Sequence, residues 1–225
     1  PYIMPGFALA KKAAEVYEED PSVEGLILLG HGHFAFGQTA EKSYNQIISH
    51  TQTVADYLNL ENPTALNVKA SHSSHGVLPV IRGLIAEMIG PNAAMPIIDV
   101  RNGPEEMKFL KRDDLESLSE RGTASPDHVI RIKGRPLVLR KSVWEQGRSA
   151  IKEALKHYEN EYKAMFERQA PKAAQQKTIL PPDPKTIWME GVGLLGLGAN
   201  IKSASIAGDL VVQNARVRSV GEDAG

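Results

Sequence analysis

Two histidines follow a short apolar segment at a spacing that would let them bind one metal ion. His31 and His33 flank Gly32, and alternate residues of an extended segment share a face, so both imidazoles could reach the same ion. The apolar run 26–29 before them predicts a buried strand with layers on both faces, which ends in a sharp bend at Gly30. A structural role for the two histidines is the alternative, because this spacing is common.

Two further groups of polar residues could do chemistry. His72 and His75 would lie on one face of a helical turn, and together with His31 they could form a three-histidine zinc site. The alternative is a serine-capped helix start with solvated histidines. Asp127 and His128 are adjacent and could act as acid and base. In the alternative interpretation, Asp127 caps a helix.

A glycine-rich stretch late in the chain partly matches a dinucleotide-binding motif. Gly191, Gly193 and Gly196 follow a predicted strand, as in the first half of that motif. Residues 197–200 then extend the loop instead of beginning the helix, and no ribose-binding carboxylate on a following strand fits before residue 225. We therefore predict that these glycines allow two strands to turn tightly.

The composition limits the classes of function. The 225 residues contain 26 Lys plus Arg and 27 Asp plus Glu, and this balance argues against a dedicated nucleic-acid binder. Without cysteine, any metal must be held by His, Asp or Glu. No segment resembles a signal peptide or a membrane-spanning helix, which predicts a cytoplasmic protein without membrane contact. Four arginines could bind a phosphate, although no spacing selects one of them: Arg121, Arg131, Arg135 and Arg140.

Periodicity and turn signals place these residues on an α/β fold. A helix follows Gly6, and Thr39 is the expected N-cap of a longer helix after the strand. The run 128–139 predicts either a hairpin turning at Gly134 or a helical turn followed by a strand. The remaining predicted elements are helices at 77–89, 104–110, 113–119, 142–168 and 203–217, and strands at 97–100 and 186–190.

The first third of the chain resembles class II aldolases of the fuculose- and rhamnulose-phosphate type, a family that includes the adducin head. The resemblance lies in residues 2–6, 24–32, 36–37 and 39–44. In that family three histidines hold a divalent zinc ion, and the third of them corresponds to His31. The resemblance thus implies that His31 is a zinc ligand and that His33 is not. The other two histidines and an acid/base carboxylate would precede the first residue.

Residues 121–131, 135–138, 158–162 and 191–196 look like the central part of bifunctional aldolase/short-chain dehydrogenases. The resemblance implies an internal fragment, in which an NAD(P)-binding dehydrogenase half would follow Gly225. It implies three parts: 1–62 as the C-terminal part of the aldolase-like domain, 63–182 as a mixed α/β region with the helix 142–168, and 183–225 as a small strand-turn-helix module.

The function implied for the parent protein is retro-aldol cleavage of a ketose phosphate. The products would be dihydroxyacetone phosphate and a hydroxyaldehyde, and the protein would be a homo-oligomer. The fragment alone would have little or no activity, because a catalytic zinc site needs three protein ligands. In one alternative the parent acts mainly as a short-chain dehydrogenase on sugars or aldehydes. In the other it is an adducin-like interaction module without catalysis.

Overall fold

A computed structural model describes residues 3–60, 76–92 and 94–224. Tyr2, His72 and His75 lie outside these ranges, so the zinc and capping interpretations of the two histidines stay predictions. The chain divides into unit 1, Pro1–Ala65 with Ser125–Asp127, and unit 2, Leu66–Ala124 with His128–Gly225. Helices combine with both parallel and antiparallel strand pairs, so the α/β fold class is confirmed. None of the helices in the described part is both long and apolar enough to cross a membrane.

The described residues of unit 1 form two helices and a β-hairpin. The predicted N-cap is confirmed, because Thr39 Oγ1 accepts a hydrogen bond of 3.1 Å from the Lys42 N–H. The hairpin contacts the second helix through Ser43, whose Oγ donates a 2.9 Å hydrogen bond to the Ala35 carbonyl. The described elements of unit 1 are α1 (Phe7–Glu19), β1 (Gly25–Leu28), β2 (Gly32–Ala35) and α2 (Ala40–Tyr57).

The predicted buried strand is one arm of this hairpin. After the bend at Gly30, the chain returns as β2 and pairs antiparallel with β1, from Gly25 opposite Ala35 to Leu28 opposite Gly32. The prediction of layers on both faces is wrong for the described residues, because Ile27 is 72% exposed and Leu29 is 85% exposed. Residues 3–60 offer two helices to this two-stranded sheet, and these are too few elements to cover both of its faces.

Unit 2 is built around a four-stranded sheet with the strand order β3-β6-β5-β4. Strand β6 pairs antiparallel with β3 and β5, whereas β4 pairs parallel with β5. Its helices are α3 (Val77–Ile89), α4 (Pro104–Phe109), α5 (Leu115–Ser119), α6 (Val129–Ile132), α7 (Lys141–Trp144), α8 (Arg148–Gln169) and α9 (Ile201–Ala224). Its strands are β3 (Ile97–Arg101), β4 (Leu137–Leu139), β5 (Thr186–Met189) and β6 (Gly193–Gly198).

Several predicted elements change in the structure of unit 2. The run 128–139 forms the helical turn α6 and then β4, which decides against the hairpin. The predicted helix 142–168 is interrupted, because Gly147 adopts a φ of +94° between α7 and α8. The segments 63–182 and 183–225, predicted as separate parts, contribute strands to the same sheet: β3 and β4 come from the first, and β5 and β6 from the second.

Both faces of this sheet are covered by helices, because its side chains alternate between two apolar clusters. Ile187 and Leu195 point to a cluster that α3 and α8 complete with residues such as Ile151. Trp188 and Leu194, one position away on the same strands, belong to a second cluster with residues of α4, α5 and α9. This alternation follows from the two-residue period of a strand and gives a three-layer α/β/α arrangement.

Glycines let strand β6 pack closely against helix α9. A Cβ atom added to Gly196 would lie 2.2 Å from the backbone nitrogen of Gly208 and 2.7 Å from the carbonyl oxygen of Ala204. A Cβ atom on Gly208 would lie 2.3 Å from Asp99 Oδ2 on β3. Helix and strand backbones therefore approach each other at a distance that only glycine permits.

Lys133 is a buried cation in unit 2. It is 4% exposed, its Nζ donates to the Pro181 carbonyl, and Nζ lies 4.0 Å from the centre of the Tyr162 ring. Burial lowers the pKa of Lys133 to about 8, while Asp183 opposes this shift and Lys185 adds to it. Folding at neutral pH therefore includes the cost of desolvating an ammonium group.

The buried ammonium predicts a pH dependence of stability. The unfolded chain binds more protons than the folded chain above the folded-state pKa of about 8, because an unfolded lysine titrates near 10.5. The free energy of unfolding should then rise by about 2 kcal/mol between about pH 8 and pH 10. In K133M this contribution to the rise should be absent, and in K177M, which removes an exposed lysine, it should persist. Urea unfolding at pH 8 and at pH 10 measures this change in the free energy of unfolding. An equal rise in wild type and K133M would contradict the prediction.

Candidate functional site

The loop between β1 and β2 positions His31. Gly30 has a φ of +81° and Gly32 a φ of +149°, conformations that favour glycine and turn the chain on both sides of the histidine. The His31 N–H donates a 2.9 Å hydrogen bond to the Leu28 carbonyl, which closes the turn. The predicted sharp bend is confirmed, and its residues are those that a hairpin turn requires.

Ile3 and Asp127, both in unit 1, lie close to the His31 imidazole. Its side chain is 7% exposed, and its Nδ1 lies 3.9 Å from Asp127 Oδ2. Its Nε2 lies 2.7 Å from the Ile3 carbonyl oxygen. Because a carbonyl oxygen only accepts, Nε2 must carry the hydrogen and donate it. In the neutral ring the lone pair then belongs to Nδ1, on the side of the carboxylate.

This arrangement has the features of a metal-ligating histidine but does not complete a metal site. Metal-bound histidines usually donate their other ring N–H to a carbonyl or carboxylate, as His31 does to Ile3. Asp127 adds a carboxylate on the side of Nδ1. Across residues 3–60, 76–92 and 94–224, however, no three His, Cys, Asp or Glu side chains come together as a metal-binding group. The described residues therefore supply a part of a ligand set at most.

The structure does not bring His33 together with His31. His33 Nε2 lies 2.9 Å from Nδ1 of His50 on α2, and the rings are tilted by 48° with centres 5.0 Å apart. His50 Nε2 is 3.9 Å from Glu24 Oε2. The His33–His50 hydrogen bond attaches the hairpin to α2. His50 is not among the residues predicted from the sequence, although its spacing of three from Ile47 places it on the inward stripe of α2.

Asp127 and His128 do not act on each other in this structure. Asp127 contacts His31, whereas His128 Nδ1 lies 3.1 Å from the Asn214 side-chain amide and accepts its hydrogen bond. The capping alternative is wrong, because no side chain caps the N-terminus of α6. The side chains of adjacent residues usually point apart. Here Asp127 belongs to unit 1 and His128 belongs to unit 2.

Three of the four candidate phosphate-binding arginines are paired with carboxylates. Arg121 lies 2.7 Å from Glu222, and Arg135 lies 2.9 Å from Glu161. Arg140 makes a 2.6 Å contact with Glu116, whose carboxyl pKa it holds below the usual range. These guanidinium groups already have anionic partners on neighbouring elements, so the structure favours structural roles for the three.

The glycine-rich stretch forms the predicted tight turn between two strands. Gly191 has a φ of +79° and lies between β5 and β6. Gly196 lies inside β6, where its missing side chain makes room for α9. The prediction of two strands that turn tightly is confirmed, and the glycines serve packing within unit 2.

Most of unit 2 matches a known protein family. Residues 72–225, more than half of the chain, match the family described as "Aldolase class II, second domain". The chain therefore belongs to this class II aldolase family. The matched range covers residues 72–182 of the predicted mixed α/β region and the whole of the predicted strand-turn-helix module, 183–225. The resemblance of residues 1–62 to the aldolase domain that carries the metal stays a prediction.

One relative covers nearly the whole chain. The chain is 26% identical over 225 residues to a protein of Bacillus subtilis (strain 168) named "Uncharacterized oxidoreductase YuxG", and the match includes 93% of this chain. The match includes 32% of the relative, so the chain spans about a third of the length of that protein. No solved structure matches the chain.

Proposed function

We propose that the whole protein is a zinc-dependent aldolase that cleaves a ketose phosphate, of the rhamnulose or fuculose phosphate type, and that His31 is one of its metal ligands. The products would be dihydroxyacetone phosphate and a hydroxyaldehyde. The observation that carries the proposal is the hydrogen bond from His31 Nε2 to the Ile3 carbonyl. It fixes the tautomer and the orientation of the ring, as expected for a metal ligand. Membership of the class II aldolase family supports the reaction type.

The residues around His31 would contribute by orienting its imidazole toward the metal. Gly30 and Gly32 set the turn, and the Ile3 carbonyl accepts from Nε2, so that Nδ1 would be the nitrogen that holds the metal. Asp127 contributes negative charge beside that atom, which favours a bound cation. A divalent metal, when bound, would stabilise the charge that develops on the substrate oxygens. The remaining ligands would come from residues outside the described ranges.

The test is H31A in the full-length protein, with H157A as the matched control. His157 is an exposed histidine on α8, with a side chain 74% exposed, so its loss should change neither metal content nor cleavage. We expect H31A to lose bound zinc and to lower kcat/KM for aldol cleavage by more than about 100-fold, beyond the usual effect of an outer-shell change. Metal analysis and an assay of dihydroxyacetone phosphate release measure both. An H31A protein that keeps its zinc and its cleavage rate would refute the role of His31.

A second candidate function is an NAD(P)-dependent oxidoreductase, favoured by the name of the relative YuxG. In that case the cofactor would bind to a short-chain dehydrogenase half of the parent protein, and the present chain would serve as a scaffold. Assaying full-length protein for NAD(P) reduction and for aldol cleavage, each with and without a chelator, separates the two functions. Loss of cleavage alone upon chelation supports the aldolase. A metal-free protein without either activity would instead support an adducin-like interaction module.

The proposal also covers the binding partner, the assembly and the cellular compartment of the enzyme. Its partner would be a small-molecule sugar phosphate rather than a nucleic acid or a membrane. Its assembly would be a homo-oligomer, and its compartment the cytoplasm. The near balance of 26 basic and 27 acidic residues supports a small-molecule substrate over a polyanion.

A further inference from the structure

Strand β3 lies at an edge of the four-stranded sheet of unit 2. Its neighbour is β6, and in the described part of the chain no other strand pairs with it. The five residues of β3 are all partly exposed, whereas the four residues of β5 are all buried. An edge strand presents N–H and C=O groups that can pair with another strand. The open edge of β3 is therefore a surface to which a further strand could be added.

The hydrogen-bond pattern identifies the β3 residues that face this open edge. The Leu197 N–H donates a 2.9 Å hydrogen bond to the carbonyl of the residue that precedes β5, so Leu197 directs its backbone groups toward β5. Because these directions alternate along a strand, Gly196 directs its own groups toward β3, where its partner is Asp99. Asp99 in turn points its backbone groups toward β6. The N–H and C=O groups of Ile98 and Val100, one position away, then point to the open edge.

The side chains of β3 could complement a second copy of the same strand. Asp99 and Arg101 carry opposite charges, lie on one face, and are 27% and 35% exposed. Arg101 contacts Asp99 and Asp209 within the chain, at 2.8 and 2.9 Å, and a guanidinium group has further N–H donors for another carboxylate. Ile98 and Val100, on the other face, pack against the apolar cluster that α3 and α8 complete but are only partly buried. A strand beside β3 could cover the apolar surface that remains exposed.

We propose that β3 pairs antiparallel with β3 of a second copy of this chain, with the two-fold axis at Val100. In this register Val100 forms the central hydrogen-bonded pair with the partner's Val100. Asp99 lies opposite the partner's Arg101, and Arg101 lies opposite the partner's Asp99, which gives two attractive pairs. The two sheets then form one continuous sheet across the dimer.

Two other registers also bring outward-facing residues together, but both are less favourable. With the axis at Asp99, the two Asp99 carboxylates would face each other and repel. With the axis at Ile98, Pro96 would lie opposite the partner's Val100, and proline has no N–H to donate. The residues of β3 therefore favour the register with its axis at Val100.

The β3 pairing would supply an interface for the homo-oligomer proposed above. It rests on that proposed assembly, but the residues involved all belong to unit 2, and neither the aldolase reaction nor His31 enters the argument. Its tests measure self-association, so their failure leaves the results of the cleavage assay unchanged.

Charge reversal in the full-length protein tests the register. D99K places two pairs of cations across the axis, and R101E places two pairs of carboxylates there. We expect each variant to self-associate with a Kd at least about tenfold higher than that of the wild type. An equimolar mixture of D99K and R101E restores opposite charges in both pairs, so it should recover association.

The mixture separates contacts between copies from contacts within one copy, because damage within a copy is the same in the mixture as in each variant alone. Sedimentation velocity measures the association in all four samples. Variants that associate like the wild type would overturn the proposal, and so would a mixture that associates no better than its components.

A second pair of variants tests the backbone pairing without changing any charge. V100P removes the N–H that the partner would accept, while V100T keeps it. Since this N–H points away from β6, proline removes no hydrogen bond from the β3–β6 pair. At a concentration above the wild-type Kd, V100P should have about half the mass of V100T. Equal masses would overturn the proposal. A monomeric wild type would also overturn it and would show that the charges of β3 protect the edge from pairing.

Discussion

G196A should destabilise unit 2 by at least about 3 kcal/mol, at the upper end of overpacking effects. A Cβ atom at this position would lie 2.2 Å from Gly208 N and 2.7 Å from Ala204 O, and backbone atoms cannot move away as a flexible side chain can. Strand β6 and helix α9 would have to separate, although β6 is a central strand of the sheet. Differential scanning calorimetry should show a Tm lower by at least about 6 °C.

Gly221 provides the matched control for this substitution. It lies in α9 as well, but it is exposed, and a Cβ atom there would meet nothing within 4 Å. G221A should be neutral or should stabilise the protein by up to about 1 kcal/mol, because alanine is the better helix former. If G196A and G221A melted at the same temperature, the close approach of β6 and α9 would be incorrect.

W188A is expected to cost about 3–5 kcal/mol of unfolding free energy. Trp188 is 1% exposed and contacts the Phe109 ring edge to face, with ring centres 4.8 Å apart. The guanidinium carbon of Arg218 lies 5.1 Å from the centre of its ring. Truncation would leave a large cavity between the sheet and α4 and would remove the aromatic face from a buried cation.

Trp144, the other tryptophan, provides a control. Its replacement by phenylalanine removes one hydrogen bond and keeps most of the packing, whereas W188A removes the packing. Trp144 is half-buried, and its Nε1 donates a 2.9 Å hydrogen bond to the Glu190 carbonyl. W144F should cost only about 1 kcal/mol, the typical contribution of one hydrogen bond. Urea unfolding followed by circular dichroism compares the variants. A W188A protein as stable as W144F would show that Trp188 does not anchor the second apolar cluster.

Local signals in the sequence predict much of the secondary structure. Helix α3 has the predicted bounds, since its apolar residues recur with helical spacing and Gly90 follows its last turn. The cap at Thr39 is likewise a local interaction with Lys42. Such features depend on residues a few positions apart, so a single sequence contains the information that they need.

The features that sequence reasoning missed depend on distant contacts. Strand β2 exists because it pairs with β1, and its His33 contacts a histidine 17 positions later. Strand β6 is rich in glycine, which predicts a turn from local preferences, but helix α9 requires glycine there for close packing. For His31, the bend was predictable from the glycines. The partners Ile3 and Asp127 were not, because they lie 28 and 96 positions away.

Unit 1 has no fully buried side chain among its described residues up to 60, whereas unit 2 contains two apolar clusters. Cooperative melting reports mainly on apolar surface removed from water, so a melting curve of this chain describes unit 2. Backbone amides in unit 1 should exchange with deuterium through local opening, without waiting for global unfolding. The His31 loop thus lies in the unit with the less buried described core, and we expect it to open locally before the calorimetric signal changes.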